Sequence, residues 1–313
     1  MKQESYEAFI ASKIKPLTES GFDAEVSDKL FDFQQWIVKN ALKMGRYAIF
    51  ADCGLGKSAM QIEWAMQVYR KTKQPVLILC PLAVAPQTIK EARQIFGYEI
   101  SRDGRSTGIC IANYEQIENI DLDAFAGVVL DESSILKNYE GATRNKIVEG
   151  FAQTPYKLAC TATPSPNDPM ELGNHSEFLN VMSRNEMLAM YFVHDGGDTQ
   201  KWRLKGHCRQ LFYDWCSQWS VMFSKPSDIG FPDDERYTLP PLNLIERQVI
   251  TPKRQNGQLF NETNISATDF NAELRLTKME RMEQVVELVN GSTENFIRSE
   301  EHTSELQSPC TIS

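Results

Sequence analysis

Five consecutive residues, Gly54-Leu55-Gly56-Lys57-Ser58, have the types and spacing to hold a phosphate chain. An apolar run, Tyr47 to Phe50, precedes them, and an amphipathic run, Ala59 to Tyr69, follows. Strand, glycine loop, Lys-Ser, helix is the order of a phosphate-binding loop. Glycines let the backbone wrap phosphates without a Cβ clash. Loop N–H groups and the helix N-terminus then face the anion. Lys57 would reach the outer phosphates, and the Ser58 hydroxyl would ligate Mg²⁺. Ala51 stands where the usual pattern has its first glycine, so an ordinary Gly-rich turn capping a helix is the competing reading. A second set of candidates is Asp131-Glu132, directly after Val128-Val129-Leu130. A strand-end Asp can hold Mg²⁺, and the next carboxylate can polarise an attacking water. Asp-Glu-Ser-Ser also suits a helix N-cap. The third is Thr161-Ala162-Thr163-Pro164, again behind an apolar run.

The elements that must position these residues follow from the hydrophobic pattern. Continuous apolar runs at 47–50, 75–80, 108–112, 127–130 and 156–160 read as strands buried on both faces. Helical spacing is expected over 26–44, 57–70 and 84–96. Strands alternating with helices indicate an α/β fold with a parallel sheet. In such sheets ligands bind at the carboxyl ends of the strands, where all three candidate sets fall. Beyond 165 the expectation is helical: 170–179, 185–192 and 208–222, with loops at 226–241 and 251–268, a strand at 242–250 and a helix at 269–289.

In order and spacing, six blocks resemble superfamily 2 helicases and translocases, and within them the Swi/Snf-related type, especially small phage and bacterial members. Leu30 to Gln34 resembles the adenine-reading glutamine segment, and Ala51 to Ser58 the family's phosphate loop. Leu79-Cys80-Pro81-Leu82-Ala83-Val84 is similar to a segment that lies along a DNA strand, and Ala112-Asn113-Tyr114-Glu115 to a Thr-Tyr-Glu segment. Leu130 to Ser134 stands at the family's Asp-Glu block, with Ser134 in place of its His or Asp. Thr161 to Pro164, with Asn167 and Glu171-Leu172, resembles the coupling motif and the helix after it. The resemblance implies a RecA-like domain followed by a helical extension, and an ATP- and Mg²⁺-dependent motor acting on DNA, duplex rather than RNA. It implies ATP contacts at Gln34, Gly54, Leu55, Gly56, Lys57 and Ser58, and catalysis by Lys57, Asp131 and Glu132. Ser58 and Asp131 would hold Mg²⁺; Thr161, Ala162 and Thr163 would couple hydrolysis to movement. Pro81 and Leu82 would face nucleic acid. Two other readings stand beside the motor: a nucleotide-binding module without motor activity, and a phosphate-loop enzyme of another class.

Net charge is −9 and the pI is near 5.1, which argues against a protein that coats nucleic acid electrostatically. A local basic and aromatic cluster, with Lys201, Trp202, Arg203 and Lys205, could still touch phosphates and a sugar or base. A solvated loop with one packed Trp is the alternative. His175 and His194 have no metal-ligand spacing and read as packing or capping residues. The 7 cysteines form no C-x-x-C pair, so a zinc ribbon is not expected and a reducing cytosol is; that the cell is bacterial or a phage-infected host is what the resemblance implies. No apolar run reaches the roughly 18 residues of a membrane span. Oligomeric state is not readable. Residues 298–313 match the translation of a common sequencing adapter and are set aside. The expected layout is an N-terminal segment at 1–25, the RecA-like domain at 26–165 and the extension at 166–245. A linker and the start of a second, truncated RecA-like domain would fill 246–297.

Overall fold

Five apolar runs become β1 (Arg46–Ala51), β2 (Val76–Cys80), β4 (Ile109–Asn113), β5 (Gly127–Asp131) and β6 (Tyr156–Thr161), with a two-residue β3 at Ile100–Ser101. This computed structural model describes residues 17–102, 108–138, 141–195, 198–234, 275, 277–291, 297–298 and 310–311. The chain forms two compact units, Met1–Leu239 and Pro240–Ser313. In the first unit the sheet order is β3-β4-β2-β5-β6-β1-β9, and every pairing in it is parallel. The seventh strand, β9, is Ser220–Phe223.

Alternate strand residues feed two separate cores, which explains why the runs are apolar without a break. Tyr47, Ile49, Ile78, Val129 and Leu158 face one layer. There they meet helix α1 (Asp32–Met44) and helix α2 (Lys57–Thr72), the latter through Met60, Trp64 and Val68. Ala48, Phe50, Leu79, Leu130 and Ala159 face the other. That layer holds α5 (Leu172–Phe178), α6 (Arg184–Tyr191) and α7 (Arg209–Trp219). Helix α3 (Ala85–Glu91), extended by a π-helical turn at Ala92–Phe96, and α4 (Ala142–Gly150) complete the crossovers.

Three local expectations change. The helix expected over 26–44 starts at Asp32, because Phe31 is extended (φ −69°, ψ 158°) and gives its N–H to Gln34 Oε1. Ser27 is held separately, its N–H on Glu63 Oε1 at 2.9 Å. The helix expected over 208–222 stops at Trp219, and Ser220 turns extended (φ −147°, ψ 156°) to begin β9. Val221 and Phe223 point into the core while Met222 stays exposed, the alternation of a strand. β9 lies parallel to β1, so a sheet strand comes from a region expected to be helical. The basic-aromatic cluster is a strand too: β7 (Phe192–Asp195) and β8 (Asp198–Leu204) form an antiparallel hairpin.

The strand at 242–250, the loop at 251–268 and residues 269–274 lie outside the described residues. In the second unit α8 spans Lys278–Asn290, and β10 (Ile297–Arg298) pairs antiparallel with β11 (Cys310–Thr311). Among the described residues no helix is long and apolar enough to cross a membrane.

One buried cation ties the second layer to the sheet. Lys157, fully buried on β6, donates to Phe178 O at 2.9 Å and Asn180 Oδ1 at 3.2 Å, just past the end of α5. Burial lowers its pKa to about 7, with the Arg46 charge adding to the effect. The unfolded chain keeps that proton to about pH 10.4. Between those values the unfolded state binds more protons, so stability rises with pH. Denaturation midpoints from pH 6.5 to 9 should therefore climb more for this chain than for Lys157→Met. Equal slopes would remove Lys157 as the cause.

Candidate active site

The parallel strands deliver their carboxyl ends to one edge, and the order β5-β6-β1 there sets the site. The phosphate loop leaves β1, Asp131-Glu132 leaves β5, and Thr161 ends β6 between them. Register places Thr161 beside Phe50 and Asp131 beside Cys160.

The loop takes the conformation its glycines permit. Gly54 and Gly56 have φ of +84° and +74°. A Cβ on Gly56 would come within 2.4 Å of Gln34 Nε2, so that position needs glycine twice over. Gln34 is buried, and its amide is used at both ends. Nε2 donates to Leu55 O at 3.0 Å, and Oε1 accepts the Phe31 N–H at 3.1 Å. Gln34 thus fixes the loop by its own backbone. Lys57 opens α2, and its ammonium donates to Ala51 O at 2.9 Å and Asp52 O at 3.1 Å. The cation therefore sits inside the curve of the loop. Ser58, half-buried, is the second residue of α2.

Asp131 is buried, with Oδ1 accepting Gln61 Nε2 at 2.8 Å. Burial raises its pKa, the Gln61 bond opposes that, Glu132 adds to it and Lys57 opposes it. Its carbonyl accepts the Tyr114 hydroxyl at 2.6 Å. Glu132 has a left-handed backbone (φ +55°, ψ 54°), uncommon for a non-glycine residue and concentrated at functional sites. Its Oε2 accepts the Thr161 hydroxyl at 3.1 Å. Thr161 Oγ1 in turn accepts the Thr163 N–H at 3.1 Å, while Ala162 is half-buried between them. Asn167 Nδ2 donates to Glu171 Oε1 at 2.9 Å, closing the turn before α5.

A hydroxyl and a carboxylate are hard oxygen donors, and Mg²⁺ takes few protein ligands because it keeps water and phosphate oxygens. Ser58 and Asp131 fit that ion. Among the described residues no cluster of three His, Cys, Asp or Glu offers a closed metal cage.

The expected nucleic-acid residues are scattered. Pro81 and Leu82 follow β2 at the same sheet edge, with Leu82 61% exposed. On the hairpin, Trp202 packs against the core and meets the His194 ring at 3.8 Å between centroids. Arg203 is exposed. Lys205 donates to Ala189 O and Met190 O at 3.2 and 3.0 Å, satisfying the last carbonyls of α6. The side chain of Lys201 lies outside the described residues.

Sequence reasoning assigned His175 only to packing or capping and gave Tyr114 no role of its own. His175 Nε2 shares a 3.1 Å hydrogen bond with Ser133 Oγ, in a fully buried position against the Phe50 ring. Only the closeness of Ser133 to Asp131-Glu132 could have hinted at it.

No family model and no curated protein matches the sequence. Solved structures do match in fold. The Sulfolobus solfataricus SWI2/SNF2 ATPase core in complex with dsDNA aligns at a TM-score of 0.52 and 17% identity, over 67% of this chain and 47% of that one. The same organism's SWI2/SNF2 ATPase core domain aligns at 0.50 and 18%, over 66% and 45%. The Pyrococcus furiosus Hef helicase domain aligns at 0.42 and 19%, over 50% and 39%. The fold is thus the α/β, RecA-like fold of the two SWI2/SNF2 ATPase cores, and this chain spans less than half the length of either.

Proposed function

We propose that the chain binds Mg-ATP at Gly54–Ser58 with Asp131 and Glu132, as the N-terminal half of an ATP-driven DNA translocase or helicase. The observation that carries this reading is the bond from the Thr161 hydroxyl to the Glu132 carboxylate. It ties the residue that would orient an attacking water to the segment that would sense movement. A phosphate-loop kinase has no need of such a link. Lys57 and the loop N–H groups would hold the outer phosphates, Ser58 and Asp131 the metal, and Glu132 the water. Bound Mg²⁺ would supply neutralisation of phosphate charge. Pro81, Leu82, Trp202 and Arg203 are the candidate contacts to duplex DNA; Lys205 braces α6 and contributes less.

In a two-domain motor of the kind proposed, ATP would sit between two RecA-like domains, the second supplying an arginine worth about 10³–10⁵ in rate. Without such an arginine the site at Gly54–Ser58 should hydrolyse ATP slowly. A chain carrying both domains should turn over faster, and duplex DNA should raise its rate further. ATPase assays with and without duplex DNA read this directly. Fast, DNA-stimulated turnover by the present chain would contradict the division of labour. Absence of DNA stimulation in the two-domain chain would favour a nucleotide-binding module without a motor.

A further inference from the structure

Glu132 sits in a backbone conformation that a glutamate avoids, so something must hold it there. Two side chains from distant elements grip the residues on either side. Before it, the Tyr114 hydroxyl donates to Asp131 O at 2.6 Å. That carbonyl belongs to the peptide whose plane sets φ of Glu132. After it, Ser133 Oγ is joined to His175 Nε2 at 3.1 Å. Helix α5 takes hold of the same turn a second time, through Asn174 Nδ2 on Lys137 O at 3.2 Å. Both grips are rigid. Tyr114 and His175 are buried, and His175 packs edge-on against Phe50 at 5.2 Å. Burial keeps the imidazole neutral down to about pH 4, so the Ser133 contact is unchanged across the working range.

We propose that Tyr114 and His175 are positioning residues that clamp Glu132 in its left-handed conformation, and so aim its carboxylate at the attacking water. Neither touches the reacting atoms. The catalytic part of this inference rests on the function proposed above; the clamp itself does not. The two clamps come from different places: Tyr114 follows β4, and His175 lies on the helix after Thr161–Thr163. Each is thus a route by which a shift elsewhere could re-aim Glu132.

Thermal melts test the clamp without ATP. Glu132→Gly and Glu132→Ala both lose the carboxylate and differ in their tolerance of positive φ. The glycine variant should melt about 2–4 °C above the alanine variant. That gap should collapse when Tyr114→Phe and His175→Leu are added. An unchanged gap overturns the clamp. Single-turnover hydrolysis on the same full chain tests its purpose. Tyr114→Phe and His175→Leu should each slow the chemical step about tenfold, a loss of about 1.4 kcal/mol of transition-state stabilisation, while Mg-ATP affinity stays within about threefold. His175→Gln, which can return a polar group to Ser133, should recover most of the rate. Equal losses of affinity and rate, or no loss of rate, overturn the positioning role. Should Glu132→Gln hydrolyse ATP as fast as the parent, the proposed function fails, and the positioning role with it, while the melts still judge the clamp.

Discussion

Lys57→Ala is expected to abolish measurable ATP hydrolysis, a drop of at least about 10²–10³, and to weaken Mg-ATP binding at least tenfold. The effect follows from where the Lys57 ammonium lies. It donates to two consecutive carbonyls, Ala51 O and Asp52 O, at the start of the loop. A bound nucleotide would offer it phosphate oxygens in exchange for these neutral acceptors, and charge-assisted bonds to phosphate are the stronger ones. Alanine removes the cation and both loop braces together. Lys57→Arg separates the two effects: it keeps the charge, yet its planar fork does not match a compact ammonium. It should therefore retain part of the binding and little of the hydrolysis. Nucleotide titration and single-turnover hydrolysis on the three chains check this. Arginine behaving like lysine in both would show that the site asks only for charge.

Glu132→Gln should leave Mg-ATP bound within about threefold of the parent and lower hydrolysis by about 10²–10⁴. Glutamine keeps a carbonyl oxygen where Oε2 accepts the Thr161 hydroxyl at 3.1 Å, so the bridge between strand ends survives. What is lost is the negative charge that polarises water, worth about 3–5 kcal/mol of barrier on that range. The outcome separates catalysis from folding, because the substitution alters neither volume nor the hydrogen bond. A variant that also loses binding would mean that Glu132 holds the nucleotide complex and does not act on water.

Much of this fold was legible because a parallel sheet covered on both faces leaves long apolar runs, and β1, β2, β4, β5 and β6 are such runs. The end of α7 was not legible. Trp215, Cys216, Trp219, Val221 and Phe223 are apolar at spacings that a helix also satisfies, and only the pairing of Ser220–Phe223 with β1 decides for a strand. Helix α1 read six residues too long, since Val26 and Leu30 are apolar at helical spacing although Val26 lies in no regular element and Leu30 in a bend.

The site divides in the same way. Lys57, Ser58, Asp131 and Glu132 stand in contiguous motifs, where spacing implies chemistry. The bonds that position them join residues far apart in sequence. Gln34 meets the backbone of Leu55, a contact that no side-chain pattern encodes. Tyr114 meets the carbonyl of Asp131, and His175 meets Ser133. Charge alone does not show what Lys205 also does on the hairpin: its ammonium donates to two carbonyls of α6. A lysine just after a helix and a hairpin has two destinations, and composition alone does not choose between them.

The residues gathered at the β5-β6-β1 edge are proposed to form a Mg-ATP site. Calorimetric titration of the chain with ATP, with and without Mg²⁺, tests it most directly. One saturable site that needs Mg²⁺ and disappears in Lys57→Ala is the predicted result. No heat of binding, or binding that persists unchanged in Lys57→Ala, would contradict it.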